Sequence, residues 1–239
     1  MTRRSSVLPA LVGMGAAIAG AVVSYIYIIR PWHRQWGTEP GDVDLILPGD
    51  DLLPEPRLSA THAITVNAPP DQVWPWLVQI GHGRGGFYSY EFVENSMMKL
   101  GIHNVDEILP EYQELKAGDV IPLAPDGFGF PVAILEQNKS MVLFGDSRTP
   151  GGPAIPMPPG NYMAASWGFY LFDQGDGTTR LVERFKMDSN PTFQNKAALY
   201  TMEPGIFLME RKMLLGIKDR AESRYARLLA EQQSSTATA

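Results

Sequence analysis

The chain has 239 residues, and its 44% hydrophobic content is enough for one ordinary globular core plus additional segments. A formal net charge of −6 and an isoelectric point near 5.2 exclude the basic face that a nucleic-acid binder needs to neutralise phosphates. With no cysteine there is no disulfide framework, thiolate nucleophile or thiolate zinc site, and the redox compartment is left open.

Val7 to Ile29 carries no charge, and its length is close to the ~20 residues an α-helix needs to cross a hydrocarbon core. The pattern predicts a single-pass membrane anchor over residues 1–30, with Tyr25, Tyr27 and Trp32 at the interface. A cleaved signal peptide is the alternative, but the apolar run is long for one and no small-residue cleavage site follows it. Gly13, Ala17 and Ala21 form a row of small residues that would permit self-association through the anchor. Arg3 and Arg4 on one side balance Arg30 and Arg34 on the other, so charge does not orient the helix. Arg3-Arg4 also lacks the rest of a twin-arginine export pattern.

Residues 31–57 turn to Pro, Gly and Asp, a composition that resists regular structure and suits a tether lying on a domain surface. The domain is expected over residues 58–232, with a disordered tail at 233–239. Its first element is a strand at Ala60 to Asn67, in which His62, Ile64 and Val66 share one side. Pro69 and Pro70 open a helix whose residues Val73, Trp74, Leu77, Val78 and Ile80 form one apolar stripe. Pro75 bends or shortens this helix, and Gly81 to Gly86 ends it. Phe87, Tyr88, Tyr90 and Phe92 follow, read here as an aromatic lip at the entrance of an apolar cavity.

A helix is expected over residues 91–100 and a shorter one over 104–115, broken by Pro110. Beyond Gly118 the period becomes two, and Val120 to Leu123, Phe130 to Leu135, Met141 to Phe144, Ser166 to Phe172 and Arg180 to Met187 read as an antiparallel meander. Turns at Asp126-Gly127, Gln137-Asn138-Lys139 and Gln174 to Gly177 separate several of these strands. Arg148 to Pro159 is too proline-rich for a ladder and reads as a loop or flap. A long helix then runs from Ile206 to about Glu231, with Met209, Met213, Ile217, Ala221, Tyr225 and Leu228 on one stripe. Gly216 inside it points to close packing on the sheet. Its other faces carry a surplus of Lys and Arg, either a solvated face with i,i+4 pairs or a contact with anionic headgroups.

With Ile64-Thr-Val-Asn-Ala-Pro-Pro-Asp-Gln-Val-Trp74 and Met209-Glu-Arg-Lys-Met-Leu-Leu-Gly216 in view, the chain resembles the SRPBCC superfamily. That superfamily includes START-type lipid-binding domains, pollen-allergen-like proteins and polyketide cyclase/dehydratase relatives. The match covers about Leu58 to Leu229. The resemblance implies an α+β helix-grip fold, in which a curved antiparallel sheet wraps a long C-terminal helix around a deep hydrophobic pocket. It implies a lipid or other hydrophobic small molecule as partner, with a cyclase- or dehydratase-like enzyme as the alternative, and fold analogy does not choose between them. The N-terminal anchor departs from the commonest members, which are soluble.

Gly81 to Gly86 formally fits G-x-G-x-x-G, but it follows a helix instead of opening one, so no dinucleotide cofactor is expected. His33, His62, His82 and His103 show no metal-ligand spacing, and no metal is expected. His82 and His103 lie in or near the aromatic lip, where proton transfer or plain exposure would both explain them. Strand alternation sets Glu183 with Leu181, Phe185 and Met187. Glu183 is thus a general acid/base or ligand anchor if it faces a cavity, and structural if an inward Arg or Tyr pairs with it. The ligand-binding set expected from these readings is Trp74, Trp76, Phe87, Tyr88, Tyr90, His103, Phe128, Phe130, Trp167, Phe169, Glu183 and Met213, each of which serves equally as core.

Overall fold

The computed structural model describes residues 7–149 and 160–237; most of the expected flap at 148–159 lies outside them. An N-terminal helix, α1 (Val7–Ser24), continues through a π-helical stretch, Tyr25–Ile29, into a short α2 (Arg30–Arg34). Val12–Arg34 is long and apolar enough to cross a membrane, with a mean hydropathy of 2.0. Gly13, Ala17 and Ala21 are exposed on it.

Strand β1 (Leu58–Val66) is followed by α3 (Pro70–Val78), α4 (Glu91–Ser96) and strands β2 (Val120–Pro122), β3 (Gly129–Glu136), β4 (Ser140–Asp146), β5 (Met163–Asp173) and β6 (Thr179–Ser189). The long α5 (Phe193–Ala237) closes the chain. The strands form one six-stranded sheet in the order β1-β6-β5-β4-β3-β2, with antiparallel neighbours throughout. A register shift between Val132 and Ile134 bends β3 against β4, as an extra residue in one strand must. The sheet curves around α5, and this is the helix-grip arrangement.

The inner face carries Met141, Leu143, Phe169 and Leu181, which pack with Trp76, Leu77 and Val78 of α3 and with Met213, Leu214, Ile217 and Ala221 of α5. Period two along the strands and three to four along the helix bring these side chains to one shared layer. The outer face is covered as well. Leu47 packs there on Ala63, Val142, Tyr170 and Val182, and the chain from Asp42 to Asp50 is bonded to outward-facing cations. Arg184, only 6% exposed, donates to the carbonyls of Val43 and Leu45 and reaches Asp50 Oδ2 at 2.7 Å; Lys186 Nζ lies 2.6 Å from Asp50 Oδ1. The expected tether is therefore a strap fastened to the sheet.

Three expectations need correction. No helix forms over residues 104–115: only a 3-10 turn, Pro110–Tyr112, is present, because the Gln79 and Glu91 side chains and the Gly85 carbonyl take up the local backbone groups. The C-terminal helix begins at Phe193, thirteen residues before Ile206, with Thr192 Oγ1 accepting from the Asn195 amide at its start, and it passes through Pro204. It also continues to Ala237, into the stretch expected as a tail.

Candidate functional site

The β1–β6 register sets His62 directly opposite Glu183, on the face turned toward α5, which contributes Glu210. His62 Nδ1 lies 2.8 Å from Glu183 Oε2 and 3.5 Å from Glu210 Oε2. Its Nε2 lies 2.9 Å from the backbone carbonyl of His33 in α2. Glu183 Oε1 accepts a hydrogen bond from the Trp167 indole at 2.7 Å. His62, Glu183 and Glu210 are 1%, 0% and 7% exposed, so three ionisable groups share the interior.

The proton positions follow from the partners. The His33 carbonyl only accepts, so Nε2 carries a hydrogen, while Nδ1 faces carboxylate oxygens. Burial alone would lower the His62 pKa; the hydrogen bond and charge of Glu183 outweigh it, with a net shift upward. Burial, reinforced by the adjacent Glu183, raises Glu210 well above the usual carboxylate range. The cluster sets an imidazole against two buried carboxyl groups, with the Trp167 indole donating to one of them.

Four surface clefts stand out among the described residues, and none is lined by this cluster. One, of about 270 Å³, lies between α2 and the start of α5 and is lined by Arg30, Arg34, Arg57, Lys196, Tyr200 and Glu203 among others. Arg30 is neutralised by a two-pronged contact with Glu203 at 2.6 and 2.7 Å and stacks 4.1 Å over the Tyr200 ring. Arg57 reaches Asp188 at 3.1 Å. Arg34 donates only to the Ser59 carbonyl, and Lys196 has no side-chain partner among the described residues.

The expected cavity lining packs as core. Trp74, Trp76, Tyr88, Phe130, Phe169 and Met213 are all buried, and Phe87, Phe128 and Trp167 pack against them half-buried. Trp76 meets Tyr88 edge-on at 6.0 Å, and Phe128 meets Phe130 at 5.4 Å. Of the expected aromatic lip, Tyr88, Tyr90 and Phe92 border one surface cleft together with Lys212 and Arg220. Tyr88 turns inward, whereas Tyr90, Phe92 and His103 turn outward, with His103 86% exposed beside Glu91. Gly81 to Gly86 form a tight loop against α3, with Arg84 donating to the carbonyls of Val78 and Ile80. On α5, Lys218 pairs with Glu222, Arg220 with Asp106, and Arg211 stacks on Trp36, so much of the basic surplus is engaged within the domain. Glu183 is inward, but its partners are His62, Trp167 and Glu210, none of which the sequence reading had paired with it.

No family model matches the chain, and no curated protein matches it. Among solved structures, it is similar to protein MLL2253 from Mesorhizobium loti, at 14% identity over 70% of this chain and 98% of that one, with a TM-score of 0.38. Ara h 8.0201 aligns at 10% identity over 70% and 98% of the two chains, with a TM-score of 0.37. PFC0360w, an HSP90 activator from Plasmodium falciparum, aligns at 9% identity over 54% and 72%, with a TM-score of 0.31. At these identities and scores they assign no activity to this chain. The fold and cluster define an α+β helix-grip protein with a buried His-Glu-Glu constellation.

Proposed function

We propose that the protein is a single-pass membrane protein whose helix-grip domain binds a lipid, or another hydrophobic small molecule with an anionic head, at the end of the domain nearest the apolar helix. The observation that carries this reading is the cationic cleft beneath Tyr25–Arg34, where Arg34 and Lys196 lack acidic partners among the described residues. Apolar side chains stand exposed on the same chain segments that line it, including Ile28, Trp32, Phe193, Met202 and Leu208. A charged slot bordered by greasy surface suits a molecule with a polar head and an apolar body.

Retention of the apolar helix is supported by how its end joins the domain. The Tyr25 hydroxyl donates to the Tyr200 carbonyl, Arg30 pairs with Glu203, and Trp32 packs on Phe207 at 5.5 Å. Cleavage beyond these residues would strip partners from α5. The enzyme alternative gains a proton-sharing carboxylate pair, but none of the four clefts reaches Glu183.

Native mass spectrometry of the full chain in mild detergent tests the proposal. An anionic lipid should co-purify, and it should be lost from the Arg34→Gln/Lys196→Gln double variant, since each basic residue near a headgroup contributes about 1 kcal/mol. A wild-type protein that is consistently empty refutes it.

A further inference from the structure

We propose that His62, Glu183 and Glu210 bind one divalent first-row transition-metal ion in the interior of the domain. The three ligand-type groups come from β1, β6 and α5, and one oxygen or nitrogen of each lies within 4.8 Å of the others. A tetrahedral ion with bonds of ~2.0–2.1 Å holds its ligand atoms ~3.3 Å apart. The observed Nδ1-to-oxygen separations of 2.8 and 3.5 Å bracket that value, so capture of an ion requires only small side-chain shifts.

The surroundings are those of a ligand set and not merely of a proton-sharing knot. A metal-bound imidazole characteristically donates its remote N–H to a carbonyl, which fixes the tautomer, and His62 Nε2 does this to His33. The Trp167 indole holds the second oxygen of Glu183 and so orients that carboxylate. The His33 ring is itself buried, and its Nε2 has no partner among the described residues. As metal ligands the imidazole and both carboxyl groups act in their deprotonated forms, so binding is expected to weaken as pH falls.

One imidazole with two carboxylates suits Zn²⁺, Mn²⁺ or Fe²⁺ better than ions that prefer sulfur. A way in is visible on α5, where Glu203, Phe207 and Glu210 follow on one face at helical spacing. Glu203 lines the cationic cleft, and the Phe207 ring lies 5.6 Å from that of His62.

The inference is independent of lipid binding and has its own readout. The full chain in detergent, stripped with chelator, is titrated with Co²⁺. Saturation at one ion per chain is expected, with d–d absorption and displacement by Zn²⁺. Glu210→Gln copies the shape of the protonated acid and so keeps the fold, yet it should weaken Co²⁺ by ~100-fold or more, since even outer-shell losses cost about 10–100-fold. Glu183→Gln should do the same. Absence of a one-to-one Co²⁺ spectrum in the wild type, or Co²⁺ binding indifferent to Glu210→Gln, overturns the proposal. If both variants fail to fold, X-ray absorption of the wild-type Co²⁺ form decides: one nitrogen with oxygen ligands supports the site, and an all-oxygen shell overturns it.

Discussion

Two glycines in α5 provide a matched test of how the helix is held. A Cβ at Gly216 would meet the Tyr88 carbonyl oxygen at 2.3 Å and the Tyr88 Cβ at 2.8 Å, whereas a Cβ at Gly205 meets nothing within 4 Å. Replacing either by alanine gains ~1 kcal/mol of helix propensity. At Gly205 that gain stands, so Gly205→Ala should stabilise by about 0.5–1 kcal/mol. At Gly216 the obstacle is backbone, and Tyr88 cannot retreat: its amide donates to Asn104 Oδ1 at 2.6 Å, its φ is +55°, and its ring is wedged against Trp76. Overpacking of this kind costs about 1–3 kcal/mol, and a backbone obstacle places it at the upper end. Gly216→Ala should thus lose ~2 kcal/mol net, and the two variants should differ by ~3 kcal/mol. At about 2–4 °C per kcal/mol for a chain of this size, thermal unfolding in matched detergent should separate their midpoints by ~6–12 °C. Equal midpoints, or a more stable Gly216→Ala, would refute the close approach of α5 to Tyr88.

Other consequences concern buried charge and the strap. Glu94 is 1% exposed with neither carboxyl oxygen bonded among the described residues, and burial, aided by the charge of Glu91, pushes its pKa up from 4.5 to about 7. The native state then holds more protons than the unfolded one between those values, so stability falls as pH rises from 4.5 to 7 and stays lower above. Glu94→Gln should remove this loss, gaining on the order of 2 kcal/mol at pH 8 and almost nothing at pH 4, as read by denaturant titration at both. Arg184→Ala leaves the carbonyls of Asp42, Val43 and Leu45 without their donor and Asp50 with only Lys186 and the Leu47 amide. It should destabilise by about 3–5 kcal/mol and expose residues 38–52 to limited proteolysis; an unchanged digestion pattern would count against the strap. The described side chains between Val12 and Ser24 are exposed, so deleting residues 1–24 should free the protein from detergent with its unfolding midpoint unchanged. Deleting through Trp36 removes the packing on Phe207 and the carbonyl that holds His62, and should lower the midpoint markedly.

Local chemistry made much of the fold legible. Alternation of His62, Ile64 and Val66 marked β1, paired prolines marked the start of α3, and the apolar stripe marked the buried face of α5, whereas Gly216, expected to approach the sheet, instead meets Tyr88 in the loop after α3. These signals survive because strand and helix periods and proline geometry act over a few residues. The early part of α5 runs through Pro204 and Gly205, residues that locally disfavour a helix interior. Contacts of Tyr200, Glu203 and Phe207 with α2 offset that local preference.

The site was less legible, for a different reason. Alternation turned His62 and Glu183 each toward the interior, but 121 residues separate them, and β1–β6 register alone makes them partners. Glu210 joins them through the docking of α5, and His33 through the return of α2 to the sheet edge. Whether Trp76, Tyr88 and Phe169 would line a hollow or fill it depended on how closely α5 approaches the sheet. Side-chain type and period are carried along the chain, whereas distances between elements, and so cavities, proton sharing and ligand sets, arise only when distant segments pack.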